Sequence, residues 1–287
     1  MKVGVIGAGA WGTALALTAL RSGNEVLLWS YDGLYKSFDG VSMPKEIRVT
    51  SQDSDLKDTD VWLIVTPASY FRETLRKVRN YYDGQPIIIC TKGAEYSTGE
   101  FMSEIVATEI PQSRAVGVLS GPQFASEVAR GIPTGSTLAG PTAVLDIGHQ
   151  VLGALFLMDT DDVIGTQICG VGKNAVALIS GYCSIACDGE NERAMIFTRA
   201  WDEVVNIGLA MGANIRTFLG LCGIGDLFLS ATSSTSRNYS GGAAIAKGQV
   251  PDGTVEGLFA ICGLTNRARS LGIETPVLDK MCARIKI

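Results

Sequence analysis

The sequence predicts an α/β protein, with an amino-terminal Rossmann-type doubly wound parallel sheet over residues 1–165 and a mainly α-helical domain over 166–287. Three observations lead there. A strand, a glycine-rich turn and a helix follow one another within the first 21 residues. Short apolar runs then alternate with helical stretches as far as residue 158, and beyond about 165 no strand pattern of comparable strength recurs.

Lys2–Ile6 is an apolar run suited to a buried strand, Gly7-Ala8-Gly9-Ala10-Trp11-Gly12 is a GxGxxG turn, and 13–21 is helical as far as Ser22-Gly23-Asn24. Glu25–Trp29 is the next strand. Between a strand and a helix, GxGxxG is the fingerprint of dinucleotide binding: glycine lets the backbone turn and approach a pyrophosphate, and the helix start offers free N–H groups. The same unit explains why 3–20 carries no charge. Gly4, Gly7, Gly9 and Gly12 make a poor spanning helix, so no integral membrane segment is expected.

Residues 60–65, 86–90 and 115–119 read as buried parallel strands, with helices at about 68–80 and 98–109 between them. Stretches 137–140 and 154–158 are candidate edge strands flanking a helix that carries His149. Downstream, 166–187, 193–211, 239–247, 254–271 and 276–284 read as helices.

Composition narrows the function. With 46% hydrophobic and 18% charged residues and a mean hydropathy of +0.23, the chain is a compact globular protein. Lys plus Arg number 24 against 29 Asp plus Glu, a net charge of −5 with no basic run, so nucleic acid and anionic membrane surfaces are not expected as main partners. An anionic ligand would require local cations. The seven cysteines are odd in number and scattered, which reads as reduced thiols in a cytoplasmic protein. His149 is the sole histidine, and its amphipathic surroundings read as a surface helix. No metal site is expected, and acid/base chemistry falls to lysine or a carboxylate.

Ligands of open parallel sheets bind beyond the carboxyl ends of the strands. Lys92 in Thr91-Lys92-Gly93 stands there, as does Gly121 in Ser120-Gly121-Pro122; a plain surface turn is the alternative for Lys92. In the helical half, Lys173 and Asn174 precede an uncharged run to Cys187. A lysine on so apolar a helix is desolvated, which lowers its pKa toward proton exchange near neutrality, unless it snorkels to solvent. Asp226 is the sole acid in Leu221-Cys222-Gly223-Ile224-Gly225-Asp226-Leu227, and Lys173 is the expected partner. Ser236 is a candidate N-cap with Arg237 and Asn238 in the first turn behind it. Arginine at a helix start is unfavourable unless an anion neutralises it, so this is a candidate phosphate site, with a solvated serine-rich loop as the alternative.

The motifs at 7–16 (Gly-Ala-Gly-Ala-Trp-Gly-Thr-Ala-Leu-Ala), 91–93 (Thr-Lys-Gly), 119–127 (Leu-Ser-Gly-Pro-x-Phe-Ala-x-Glu), 170–174 (Gly-x-x-Lys-Asn), 223–227 (Gly-x-Gly-Asp-Leu) and 236–238 (Ser-Arg-Asn) resemble, in that order, the NAD(P)-dependent glycerol-3-phosphate dehydrogenases. The resemblance implies interconversion of dihydroxyacetone phosphate and sn-glycerol 3-phosphate with NAD or NADP, supplying phospholipid synthesis, in a cytoplasmic homodimer. It implies Lys173 as proton donor and acceptor, with Lys92 and Asp226 beside it. Gly121, Gln123, Asn174, Ser236, Arg237 and Asn238 would line the substrate pocket, and Gly7, Gly9, Ala10, Trp11, Gly12, Tyr31, Lys92, Ala125, Arg237 and Glu256 would lie along the dinucleotide.

Two departures accompany the match. Tyr31 stands where many bacterial relatives carry Arg or His, so NADH is expected to serve at least as well as NADPH. Gln123 replaces a common Ser or Thr. A related β-hydroxyacid or ketopantoate-type dehydrogenase, or a nucleotide-binding sensor without turnover, are the alternative functions. The first binds a carboxylate and has no use for Ser236-Arg237-Asn238; the second is opposed by the joint presence of Lys92, Lys173 and Asp226.

Overall fold

The computed structural model describes residues 1–96, 98–253 and 255–285. The chain gathers into two compact units, Met1–Thr91 with Met102–Val163, and Lys92–Phe101 with the chain from Ile164 onward.

In the first unit β1 (Lys2–Ile6), β2 (Glu25–Trp29), β3 (Ile47–Thr50), β4 (Val61–Ile64), β5 (Ile87–Ile89), β6 (Val116–Ser120), β7 (Gly135–Ala139) and β8 (Phe156–Thr160) form one sheet in the order β3-β2-β1-β4-β5-β6-β7-β8. Every neighbouring pair is parallel except β6 with β7. The chain moves from β1 outward to β3, then returns to β4 on the other side of β1. The order therefore reverses between β1 and β4, the place where open sheets take ligands. Val3, Val5, Leu63, Ile87, Ile88 and Ile89 are wholly buried, as parallel strands covered on both faces must be.

β3 had no signal in the sequence, because its four residues, Ile-Arg-Val-Thr, mix apolar and polar side chains at the sheet edge instead of forming an apolar run. Of the two candidate edge strands, only β8 is at an edge; β7 lies between it and β6.

Five helices pack on this sheet: α1 (Ala10–Arg21), α2 (Ala68–Val78), α3 (Met102–Glu109), α4 (Ala125–Ala129) and α5 (Thr142–Leu152). α1 starts three residues before the expected 13, so the third glycine of GxGxxG lies inside the helix. It ends where Gly23, at φ +82°, sends its N–H back to the Leu20 carbonyl.

α2 and α3 are joined by an ion cluster. Glu109 has 4% of its side chain exposed and accepts hydrogen bonds from Arg72 at 3.0 Å, Arg76 at 3.0 Å and Arg79 at 3.1 Å. Burial alone would raise its pKa, but the hydrogen bonds and charges of Arg76 and Arg72 outweigh burial and hold it below the usual value. Glu109→Ala leaves three guanidinium groups without their anion. It is expected to cost about 2–4 kcal/mol, toward the low end for a broken buried pair because Arg76 and Arg79 are half-exposed. A depressed carboxyl pKa stabilises the fold above the unfolded glutamate's pKa and ceases to do so as pH falls through the folded value. Urea unfolding of both proteins should therefore show a gap near neutral pH that narrows as pH falls below the ordinary glutamate range.

The second unit is helical: α6 (Val163–Ala186), α7 (Glu190–Ala210), α8 (Ile215–Phe218), α9 (Asp226–Thr232), α10 (Arg237–Ala246), α11 (Glu256–Ser270) and α12 (Pro276–Arg284), with a π-helical turn over Leu221–Gly225. α6 is long and apolar enough to cross a bilayer, yet 72% of its apolar window is buried against this unit's own core. Ile215–Thr232 is also apolar, with 44% buried, but it breaks at Gly223, whose φ −89° and ψ −105° are not helical. α6 and α10 approach backbone to backbone. A Cβ on Gly181 would stand 1.8 Å from the Tyr239 carbonyl oxygen, and one on Gly242 would stand 1.9 Å from that of Leu178. This contact brings the start of α10 alongside Asn174.

Candidate active site

The turn after β1 is shaped around glycine. Gly7 has φ +112°, and a Cβ there would meet the Thr66 nitrogen at 2.9 Å, so the turn lies directly against the chain leaving β4. A Cβ on Gly12 would stand 1.7 Å from the Gly7 carbonyl oxygen, which ties the turn to α1. Gly9, by contrast, faces open space and caps α1 without a side chain. The first-turn amides of α1 are therefore left for a ligand at the positive end of the helix. The Trp11 indole N–H is buried with no partner among the described residues. Open space over Gly9, uncapped amides and an unused indole donor beside Ala10 fit the pyrophosphate of a dinucleotide.

Tyr31, two residues past β2, is 77% exposed. At the end of β6, a Cβ on Gly121 would stand 2.7 Å from the Ser136 Cα, which explains glycine there. The Gln123 amide is buried with neither its oxygen nor its nitrogen partnered among the described residues, and Ala125 opens α4.

In the second unit three of the expected residues converge. Asp226, at the start of α9, has 1% of its side chain exposed. Lys92 Nζ donates to Asp226 Oδ2 at 2.6 Å, and Lys173 Nζ lies 3.3 Å from Oδ1. Lys173 Nζ also donates to Ser230 Oγ at 2.9 Å, and Ser230 in turn donates to Asp226 Oδ1 at 3.3 Å. Asp226 and Ser230 share a face because α9 spaces them four apart. The role of Ser230 was not legible, since 221–227 reads as a glycine-rich loop unless α9 is recognised.

Two ammonium groups against one carboxylate leave surplus positive charge. Burial pushes the Lys173 amine below its usual pKa, and the like charge of Lys92 adds to the shift, while Asp226 and Glu256 oppose it. Burial likewise pushes Glu256 above the usual carboxylate range against the charges of Lys173, Arg237 and Lys92.

Asn174 links this cluster to α10. It donates to Glu256 Oε2 at 3.2 Å and accepts from Asn238 Nδ2 at 2.7 Å, while Asn238 Oδ1 accepts from the Gly257 N–H at 2.9 Å. Ser236 caps α10 as expected, its Oγ accepting from the Tyr239 N–H at 3.4 Å. Arg237, the first residue of α10, is exposed and forms no ion pair among the described residues. His149 stands apart, paired with Asp159 at 2.9 Å on the surface.

Comparison with known proteins converges on one family. The model described as NAD-dependent glycerol-3-phosphate dehydrogenase N-terminus matches residues 2–144, and its C-terminus counterpart matches 162–286. A protein of Parvibaculum lavamentivorans named glycerol-3-phosphate dehydrogenase (NAD(P)+) is 37% identical over 306 residues, covering 99% of this chain and 91% of its own. One of the same name from Paramagnetospirillum magneticum is 40% identical over 256 residues, 83% and 92% of the two chains. The crystal structure of glycerol-3-phosphate dehydrogenase from Coxiella burnetii matches with a TM-score of 0.90 at 29% identity, covering 99% of this chain and 94% of that one.

Proposed function

The chain belongs to the NAD-dependent glycerol-3-phosphate dehydrogenase family, and on that premise we propose that it interconverts dihydroxyacetone phosphate and sn-glycerol 3-phosphate with Lys173 as general acid and base. NAD or NADP, when bound, would supply the hydride chemistry at C2. The observation that carries the lysine assignment is a buried amine of lowered pKa held by Asp226 and Ser230. As the free amine, Lys173 accepts the C2 hydroxyl proton of glycerol 3-phosphate; as the ammonium, it returns a proton to the C2 oxygen in the other direction. Asp226 fixes the amine, and Lys92 presents a second cation to the substrate oxygens.

Arg237, Ser236 and the first amides of α10 hold the phosphate, with Asn238 and Asn174 keeping that helix in register. Gly121 and Gln123 are assigned to the substrate, and Gly7, Gly9, Ala10, Trp11, Gly12, Tyr31 and Ala125 to the dinucleotide, joined by Lys92, Arg237 and Glu256. Residues 1–165, apart from the Lys92–Phe101 segment that gathers with the second unit, are assigned to dinucleotide binding and 166–287 to catalysis. The same reading makes the protein a cytoplasmic homodimer that supplies sn-glycerol 3-phosphate to phospholipid synthesis.

NADH and NADPH oxidation measured with dihydroxyacetone phosphate beside ketopantoate and a β-keto acid tests the substrate. Dihydroxyacetone phosphate should be turned over fastest, and preference for either carboxylate would overturn the assignment. The lowered Lys173 pKa also gives a pH signature. Oxidation of glycerol 3-phosphate uses the free amine, so kcat/KM should fall toward acid through a group titrating below 10.5, the ordinary lysine value. Reduction uses the ammonium and should fall toward alkali. Profiles with the same sign in both directions would exclude Lys173 as the group that changes protonation.

A further inference from the structure

The residues just past β2 decide how a Rossmann turn treats the adenosine ribose, since an acid there takes a 2′-hydroxyl and a cation accommodates a 2′-phosphate. Ser30, Tyr31 and Asp32 offer no cation in sequence. The structure brings one in from α2. Lys77 Nζ lies 4.4 Å from the centroid of the Tyr31 ring and 5.2 Å from that of Trp29. Its anionic neighbour is Asp53 Oδ1 at 3.5 Å, and that oxygen already accepts the Trp29 indole N–H at 3.0 Å. Two aromatic faces thus hold the ammonium beside the carboxyl ends of β2 and β3, while its ion pair is longer than a charge-assisted hydrogen bond. The acid that would favour a 2′-hydroxyl is partly engaged within its own turn, because Asp32 Oδ1 accepts from the Leu34 N–H at 2.9 Å and from Ser30 Oγ at 3.4 Å.

We propose that Lys77, positioned by Tyr31 and Trp29, is the cation through which this enzyme accepts a 2′-phosphorylated dinucleotide. This rests on the dinucleotide reading above and goes beyond it by naming the residue that sets cofactor choice. Lysine at this place lets the 2′-phosphate be matched without an arginine after β2, and the exposed Tyr31 ring supplies a flat face for an adenine. It also alters the expectation drawn from Tyr31 alone: NADPH becomes a competent cofactor.

The test is calorimetric binding of adenosine 2′,5′-bisphosphate and of ADP to the wild-type protein, Lys77→Met and Lys77→Arg, with melting temperatures to confirm that the variants are folded. Lys77→Met should lose about tenfold or more in affinity for the bisphosphate, the size of one charged hydrogen bond, and stay within about twofold for ADP. Lys77→Arg should retain most of the bisphosphate affinity, which separates charge from packing. Equal losses for both ligands, or no loss for either, would overturn the proposal while leaving the dinucleotide site in place. A wild-type protein that binds neither ligand would overturn the dinucleotide reading itself, and the Lys77 assignment with it.

Discussion

Replacing Lys173 with alanine is expected to lower kcat by about 10²–10⁴ while dinucleotide affinity stays close to that of the wild type, the pattern of a lost general acid/base. The stretch from Ala175 to Cys187 offers no other charge, so the helix that carries Lys173 packs as core and the amine is drawn out of water. Desolvation favours the free base, and Lys92 pushes the same way. Asp226 and Ser230 then fix where the nitrogen points. None of these contacts belongs to the glycine turn at residues 7–12, so the binding of ADP should survive the change. Stopped-flow reduction of dihydroxyacetone phosphate alongside ADP titration separates the two effects. Similar losses in both would mean that Lys173 supports the fold rather than the chemistry.

The second large effect is expected at Arg237. With a net charge of −5 the protein as a whole repels a dianionic substrate, so productive binding depends on local cations. Arg237 heads α10, where Ser236 caps one amide and leaves the exposed guanidinium beside the remaining backbone donors, the combination proposed to hold the phosphate. Arg237→Ala should cost about 2–5 kcal/mol in kcat/KM for dihydroxyacetone phosphate. It should cost far less for unphosphorylated dihydroxyacetone, which never makes the contact. Equal losses for the two substrates would assign Arg237 to the cofactor or the fold instead.

Particular residues show what could be read in the sequence. Buried parallel strands are continuous apolar runs, so β1, β2, β4, β5 and β6 were legible to within a residue or two, whereas β3 mixes apolar and polar side chains at an edge and left no run to find. An isolated acid among glycines and apolar residues demands a cation, which made the pairing of Asp226 with Lys173 legible. That Lys92 would be the nearer partner was not, because it lies 134 residues away and nothing local links the two. Lys77 was illegible for the same reason: in sequence it reads as one more charged position of an amphipathic helix, and only the fold carries its side chain to Tyr31.

The most direct measurement of the central claim is turnover of dihydroxyacetone phosphate by Lys173→Ala with and without added methylamine. A small amine can enter the space vacated by the side chain and carry the proton at the C2 oxygen. If Lys173 is the acid and base, the variant should be nearly inactive alone, should gain rate in proportion to amine concentration, and should gain more, per protonated amine, from an amine whose ammonium is the stronger acid, while the wild type stays unaffected. A variant already near wild-type turnover, or one whose residual rate stays flat as amine is added, would contradict the account.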